Sequence, residues 1–403
     1  MSLASETKPS EASLAEVTQQ DAPIGYGIVQ PGPYVRDGIP VLAIRDLGNP
    51  SVRTAHRSAP SIEAAYRRSR VREGDILVSV KGSTGKVGIV PQGFEGNISR
   101  DVARVRLRDD QVPAYWIHLL ESAEAQRTLQ LAAVGSTRQE LSIGILRTLR
   151  FRFPPKREQA VVASVLGDAT ELIASLERLL IKKRAVRQAM SQQLLTGRTR
   201  LPPFSGNWET ARVSDVLRPR SERNAAGAAL TVLTCTKHHG FVRSLDYFKS
   251  QVFSNDLSGY KLIRRGDIGY PANHIEEGSI GVQELEDVAV VSPIYVVMSP
   301  VGDLDTYFLQ RLLRLDSYRQ VFATLTNASV NRRGSLRWPA FSQVEVRLPS
   351  SAEQHAVAAV LRAADAEIAA LERRLEKAKQ VKQGMAQQLL TGKTRLPVLE
   401  AVA

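Results

Sequence analysis

Half of this chain is a second copy of the other half, and that duplication restricts its fold more than any other feature. The segment Met190-Ser-Gln-Gln-Leu-Leu-Thr-Gly-Arg-Thr-Arg-Leu-Pro202 returns from Met385 to Pro397, an offset of 195 residues in a chain of 403. The correspondence runs without a gap back through Glu177-Arg178 and Glu372-Arg373, then Glu158-Gln159 and Glu353-Gln354, to Pro154 and Pro349. One architectural unit is therefore built twice, and a pseudo-twofold internal repeat is expected.

The repeated segment carries an apolar seam. Val162, Leu166, Ala169, Ile173, Leu176 and Leu180 step by four and three, and Met190 and Leu194 resume the phase. Val357, Leu361, Ala364, Ile368, Leu371, Leu375, Ala378, Met385 and Leu389 repeat it. This is a heptad pattern on a helix. Lys183 and Arg187 interrupt the first seam, and Lys382 the second; a register-setting charged layer and a loose, solvated stretch of helix both fit. Prolines precede each segment and Thr-Gly closes it at Gly197 and Gly392, as helix start and stop chemistry requires. Thirty-eight residues of helix would span roughly 55 Å. A rod that long with one apolar stripe needs a partner, and the economical one is the other copy, packed antiparallel as a coiled coil.

Between the rods lie two strand-rich blocks. The expected order is a flexible tail at 1–22, a first domain at 23–155, a central helical repeat at 156–200, a second domain at 201–349, a distal helical repeat at 350–397 and a short tail at 398–403. The fold class is α+β, with two α/β domains separated by two long helices. Both blocks contain Gly-Asp-Ile (Gly74 to Ile76; Gly266 to Ile268), and Lys86-Val-Gly-Ile89 parallels Ser279-Ile-Gly-Val282. Otherwise they diverge. One scaffold with two unlike surfaces suits a reader of two unlike half-sites, although neutral drift after duplication also erodes similarity.

Charge narrows the partner. A formal net charge of +13 favours a polyanion through phosphate neutralisation and counterion release. Cys235 is the only cysteine, which excludes an internal disulfide and cysteine-rich zinc clusters and fits a reducing, cytoplasmic setting. No run of about 18 apolar residues able to span a bilayer and no signal peptide are expected, so no membrane role is expected.

DNA reading needs cations for phosphate and forked or amide side chains for base edges. In the first block these are Lys81, Ser83, Thr84 and Lys86 in a glycine-bearing turn, with Arg138 and Gln139. In the second they are Lys237, His238, His239, Tyr270, Asn273, His274, Arg332 and Arg333. DNA contact is the expectation for the first-block loops, against an ordinary solvated turn; each second-block candidate could equally be a surface charge. The two adjacent histidines lack acidic or cysteine partners at ligand spacing, so no metal is expected. Enzyme readings fare poorly. A phosphate-binding loop would need Gly at Val80 and a hydroxyl at Val87. Pro202-Pro203-Phe204 follows a leucine, where an amino-methyltransferase would need an amide or carboxylate. Glu276-Glu277 and Asp109-Asp110 are isolated pairs, not a clustered nuclease centre.

Two variable domains alternating with two helical repeats, each opened by Pro-x-x-x-Glu-Gln and closed by Gln-Gln-Leu-Leu-Thr-Gly, resemble the specificity subunits of type I restriction-modification systems. Gly38 to Leu47, Arg72 to Ile76 and Gly135 to Ser142 resemble blocks of the family's first recognition domain; Tyr247-Phe248, Tyr260, Asn273-His274 and Glu277 to Gly281 resemble a second type. The resemblance implies a non-catalytic DNA-binding subunit that reads a bipartite site in double-stranded DNA, one half per domain, with the helices fixing the gap. It implies two modification subunits and two restriction subunits as partners. S-adenosylmethionine, ATP and Mg would act on those partners, and this chain would hold no cofactor. The seam residues Leu166, Ile173, Leu176, Leu180, Met190, Leu194, Leu361, Ile368, Leu371, Leu375, Met385 and Leu389 would serve spacing and partner docking. A coiled-coil DNA-binding scaffold or regulator outside restriction is the alternative, and a fused methyltransferase or nuclease is the rival from the enzyme class.

Overall fold

The duplicated segments form two uninterrupted helices, Lys156–Leu194 (the central rod) and Ser351–Leu390 (the distal rod), in a computed structural model that describes residues 9–48, 55–135, 139–327 and 334–397. Each rod ends at a glycine with positive φ, +71° at Gly197 and +70° at Gly392, a backbone conformation that an L side chain resists. The chain divides into two units, 1–177 with 373–403 and 178–372, so each unit holds half of each rod.

In the first unit, Lys379 pairs with Glu177 at 2.7 Å, and Arg395 approaches Glu158 at 3.9 Å. In the second, Lys183 meets Glu367 at 2.6 Å, Arg184 meets Glu372 at 2.6 Å and Arg187 meets Asp365 at 2.8 Å. Rising numbers on one helix meet falling numbers on the other, so the rod halves run antiparallel within each unit. The charged layer at Lys183 and Arg187 is thus paired across the seam. Leu166 and Leu361, one repeat apart, are both fully buried, and each contributes about 1.5–3 kcal/mol by leaving water.

The retained Pro-x-x-x-Glu-Gln and Thr-Gly-x-Thr-Arg motifs have structural work to do. The Gln159 amide donates to the carbonyl of Pro154 at 2.8 Å and accepts from the Val112 amide at 3.0 Å. Gln354 donates to Pro349 at 3.0 Å and accepts from the Asp305 amide at 3.2 Å. Each glutamine therefore locks its rod to the domain preceding it. The neighbouring glutamate takes the arginine beyond the end of the other rod: Arg200 grips Glu353 at 2.5 and 2.6 Å, and Arg395 is the counterpart for Glu158.

Each unit has a four-stranded antiparallel sheet. In the first unit the order is Gly25–Tyr26, Val102–Val105, Ile76–Ser79, Val87–Ile89; in the second it is Leu217–Arg220, Tyr295–Pro300, Ile268–Pro271, Gly281–Val282. Ile76 pairs with Val105, and Ile268 with Met298, so both Gly-Asp-Ile motifs open a central strand. Asp75 accepts from the Arg72 amide at 2.9 Å and Asp267 from the Arg264 amide at 2.8 Å. The motif is a turn lock, repeated because the sheet is repeated. Helices Pro113–Glu121 and Thr306–Leu313 press Tyr115, Trp116 and Phe308 into the respective cores, beside Leu166 and Leu361.

Two expectations change. Residues 10–22 are part of the first unit: Ser10–Ser13 is a strand antiparallel to Arg150–Phe153, and Leu14 and Val17 are buried. The segment looked like a tail because only those few positions seek the core, while Glu11 is satisfied by Arg150 at 3.4 Å and Arg152 at 3.0 Å. The tail expected at 398–403 lies outside the described residues. Secondly, an 18-residue stretch of the central rod reaches a mean hydropathy of 1.2, long and apolar enough by composition to cross a bilayer. Its larger side chains include Leu166 and Leu176, which are buried within the protein.

Candidate nucleic-acid interface

In the first unit, the strand Ile76–Ser79 turns through residues 80–86 and returns as Val87–Ile89. The Ser79 hydroxyl donates to the Ser83 carbonyl and accepts from the Lys86 amide at 2.8 Å, closing the turn from beneath. Gln139 arrives from a distant part of the chain: its carbonyl accepts from the Gly82 amide at 3.1 Å and from the Thr84 hydroxyl at 3.1 Å. Lys81 pairs with Glu140 at 3.0 Å. Two stretches far apart in sequence thus form one ridge presenting Lys81, Ser83, Thr84, Lys86 and Gln139. Lys86 also donates to the Ile44 carbonyl at 3.2 Å. Arg138 lies outside the described residues.

In the second unit, Lys237, His238 and His239 are exposed at the tip of the hairpin formed by Leu233–Thr236 and Gly240–Arg243. The Thr236 hydroxyl caps the tip by accepting from the His239 amide at 3.0 Å. His274 is exposed and contacts Glu277 at 3.1 Å; with Glu276 these residues bring ligand-type atoms within 4.8 Å of one another. Asn273 is half-buried beside them. Tyr270 is not available for reading. It is fully buried and its ring lies 4.9 Å from Phe341, because all four residues of the central strand Ile268–Pro271 are covered. Burial pushes its hydroxyl well above the usual tyrosine value. Arg332 and Arg333 lie outside the described residues.

Sequence reasoning missed a cationic cleft of about 520 Å3 in the second unit, bordered by Arg184, Arg187, His238, Arg311, Arg314 and Asp365. Arg187 at 2.8 Å and Arg311 share the Asp365 carboxylate, which also accepts from the Tyr307 hydroxyl at 2.6 Å. Burial would raise the pKa of Asp365, but the bonds from Arg187 and Tyr307 and the charge of Arg311 outweigh it and hold the group below the ordinary value. Arg314 donates to the carbonyl of Lys237, tying the cleft to the exposed hairpin tip. Burial, then Arg311, lowers the pKa of this guanidinium. The signal was present as Arg311 and Arg314, three apart on one helix face.

A model of the type I restriction modification DNA specificity domain matches residues 27–183. The specificity subunit of the type I restriction enzyme EcoBI from Escherichia coli is 28% identical over 189 residues, covering 46% of this chain and 40% of that one. Residues 27–183 thus match the type I restriction modification DNA specificity domain, and the longer chain is similar to specificity subunits of type I restriction enzymes. A second relative, the specificity subunit of the type I restriction enzyme MjaVIII from Methanocaldococcus jannaschii, is 23% identical over 353 residues, covering 81% of this chain and 80% of that one. The crystal structure of the S subunit of a type I restriction-modification system from M. genitalium shares the fold, with a TM-score of 0.59 at 13% identity over 96% of this chain and 98% of that one. The match to the Escherichia coli protein spans less than half of that relative's length.

Proposed function

We propose that the chain is the DNA-reading subunit of a type I restriction-modification complex, recognising a bipartite site with one half-site per domain and directing chemistry carried by partner subunits. The observation that carries this reading is the pairing of a duplicated rod with two domains whose exposed loops differ: a Lys-Ser-Thr-Lys-Gln ridge in one, a Lys-His-His hairpin tip in the other. Two modification and two restriction subunits complete the complex in the cytoplasm, and S-adenosylmethionine, ATP and Mg act on them. The rods set the separation of the half-sites, with Ile173 and Ile368 inside the length that matters. Adenine methylation and cleavage are properties of the assembled complex.

Co-expression with the cognate modification subunit, followed by genome-wide mapping of methylated adenines, tests this. A bipartite motif with a fixed non-specific gap is the expected result. Methylation that does not depend on this chain would end the proposal. Lengthening both rods by one heptad, after Ile173 and Ile368, widens the gap and leaves each half-site unchanged.

A further inference from the structure

A cleft of about 590 Å3 opens on the first unit, walled by residues 67–72 and by the strand residues Arg104 and Arg106, with Ala22, Ile39 and Pro40 among its apolar lining. It lies at the Asp75 end of the strand Ile76–Ser79, whereas the Lys81-to-Lys86 ridge lies at the other end. Arginines 67, 68, 70, 72, 104 and 106 line it, against two carboxylates, Asp21 and Glu95. Two of the six are already neutralised by other groups. Arg70 grips Glu63 through two bonds of 2.7 and 2.6 Å, and Arg106 grips Asp75 at 2.8 and 2.7 Å.

Arg104 is the centre of the construction. It is 4% exposed and, among the described residues, makes no carboxylate bond. Its guanidinium donates to the carbonyls of Arg68 at 2.7 Å, Arg70 at 2.9 Å and Pro23 at 3.2 Å, and its Nε has no partner among the described residues. Leaving a buried cation without a counter-ion is costly, and the same cation fixes the backbone that carries its neighbours. Arg67, Arg68 and Arg72 are exposed, and none makes an ion pair among the described residues. Three guanidinium forks free of ion pairs line the cleft together with the buried one, and planar forks match phosphate oxygens in pairs.

We propose that this cleft binds phosphate, supplied by a nucleic-acid backbone or by a small phosphorylated solute. The backbone source rests on the DNA-reading function proposed above; the phosphate chemistry does not. An acidic protein surface would meet the same charges but has no need of a concave cleft.

The full-length chain is tested against inorganic pyrophosphate by thermal shift, and against a 20-base-pair duplex by anisotropy over a salt series. Arg67→Ala/Arg68→Ala/Arg72→Ala is compared with the parent, and with a triple Lys variant that keeps charge but loses the forks. Pyrophosphate raises the melting temperature of the parent, less that of the Lys variant and not that of the Ala variant. If the duplex salt slope also becomes shallower by about 0.9 for each phosphate that is no longer neutralised, the backbone is the source. Loss of the pyrophosphate response with an unchanged duplex slope supports a soluble phosphate instead. A parent with no pyrophosphate response and a slope unaltered in both variants overturns the proposal, as does failure of the variants to bind a modification subunit while both phosphate readouts stand. Arg72→Gln alone, the mildest change, gives the same readouts should the triple variants misfold.

Discussion

The two units place the same backbone device, a helix docked on a rod pair, in opposite chemical states. Gln159 and Gln354 bond the amides of Val112 and Asp305, which equates the helices that follow. Arg311 then stands where the first unit has His118, and the rod residues Asp365, Arg187 and Arg362 stand where it has Thr170, Lys382 and Gly167. In the second unit the contact is an ionic latch. Tyr307 lies under Arg311 at 4.8 Å and Arg362 at 4.1 Å, while Asp365 collects Arg187, Arg311 and the Tyr307 hydroxyl. In the first, Ala114 replaces that tyrosine, and burial, then Lys382, pushes the His118 imidazole down to about 4. Duplication preserved the locks that make the fold and released the junction chemistry, so a paired seam does not require a paired surface.

The comparison breaks first if the shared layer is not shared. Leu166→Ala and Leu361→Ala remove matched, fully buried side chains, and each is expected to cost about 3 kcal/mol. Hydrogen exchange followed unit by unit should show similar losses; a loss confined to one unit would mean that the seams are not equivalent. Next, Asp365→Asn strips the counter-ion from Arg187 and Arg311, at a cost of about 2 kcal/mol, discounted for the partial exposure of the pair. Thr170→Ala at the matched position should cost less than about 0.5 kcal/mol. Urea midpoints of the two variants check this, and equal shifts would dissolve the contrast. The lowered pKa of Asp365 gives stability present above its ordinary value near 3.8 and lost as pH falls through the lower folded value.

The smallest effect lies at His118. Its folded value of about 4 is below the ordinary 6.5, so on acidification the unfolded chain takes up the proton first and stability declines between those two values. His118→Gln should remove that slope, about 2 kcal/mol between pH 7 and 5 before the partial exposure of the imidazole is discounted. Midpoints measured at both pH values decide it, and an unchanged slope would show that the imidazole is not held neutral.

The rods were legible because two signals agreed: a 195-residue offset and a 3.5-residue period both point at Leu166, Leu361 and their neighbours. The family resemblance followed from motifs that now have mechanical explanations in Gln159, Gln354 and Arg200. Reading loops were harder. Lys81 to Lys86 and Gln139 do meet, but Tyr270 belongs to the core, since a tyrosine beside a glycine in a short apolar run reads equally as strand interior or loop tip. The strand at 10–13 was hidden by its polarity. The basic cleft of the first unit is assembled from five separated segments, and only the Arg67-Arg68-x-Arg70-x-Arg72 run hinted at it.

The way the rods are shared has a consequence for biosynthesis. The second unit is one continuous stretch, residues 178–372, whereas the first is closed by residues 373–403 and has Leu389 and Leu390 in its core. As the ribosome moves along the message, the domain translated first must therefore wait for the last-made helical turns, while the domain translated second already has all its parts. A premature stop near Lys379 would wound the amino-terminal domain and spare its younger twin.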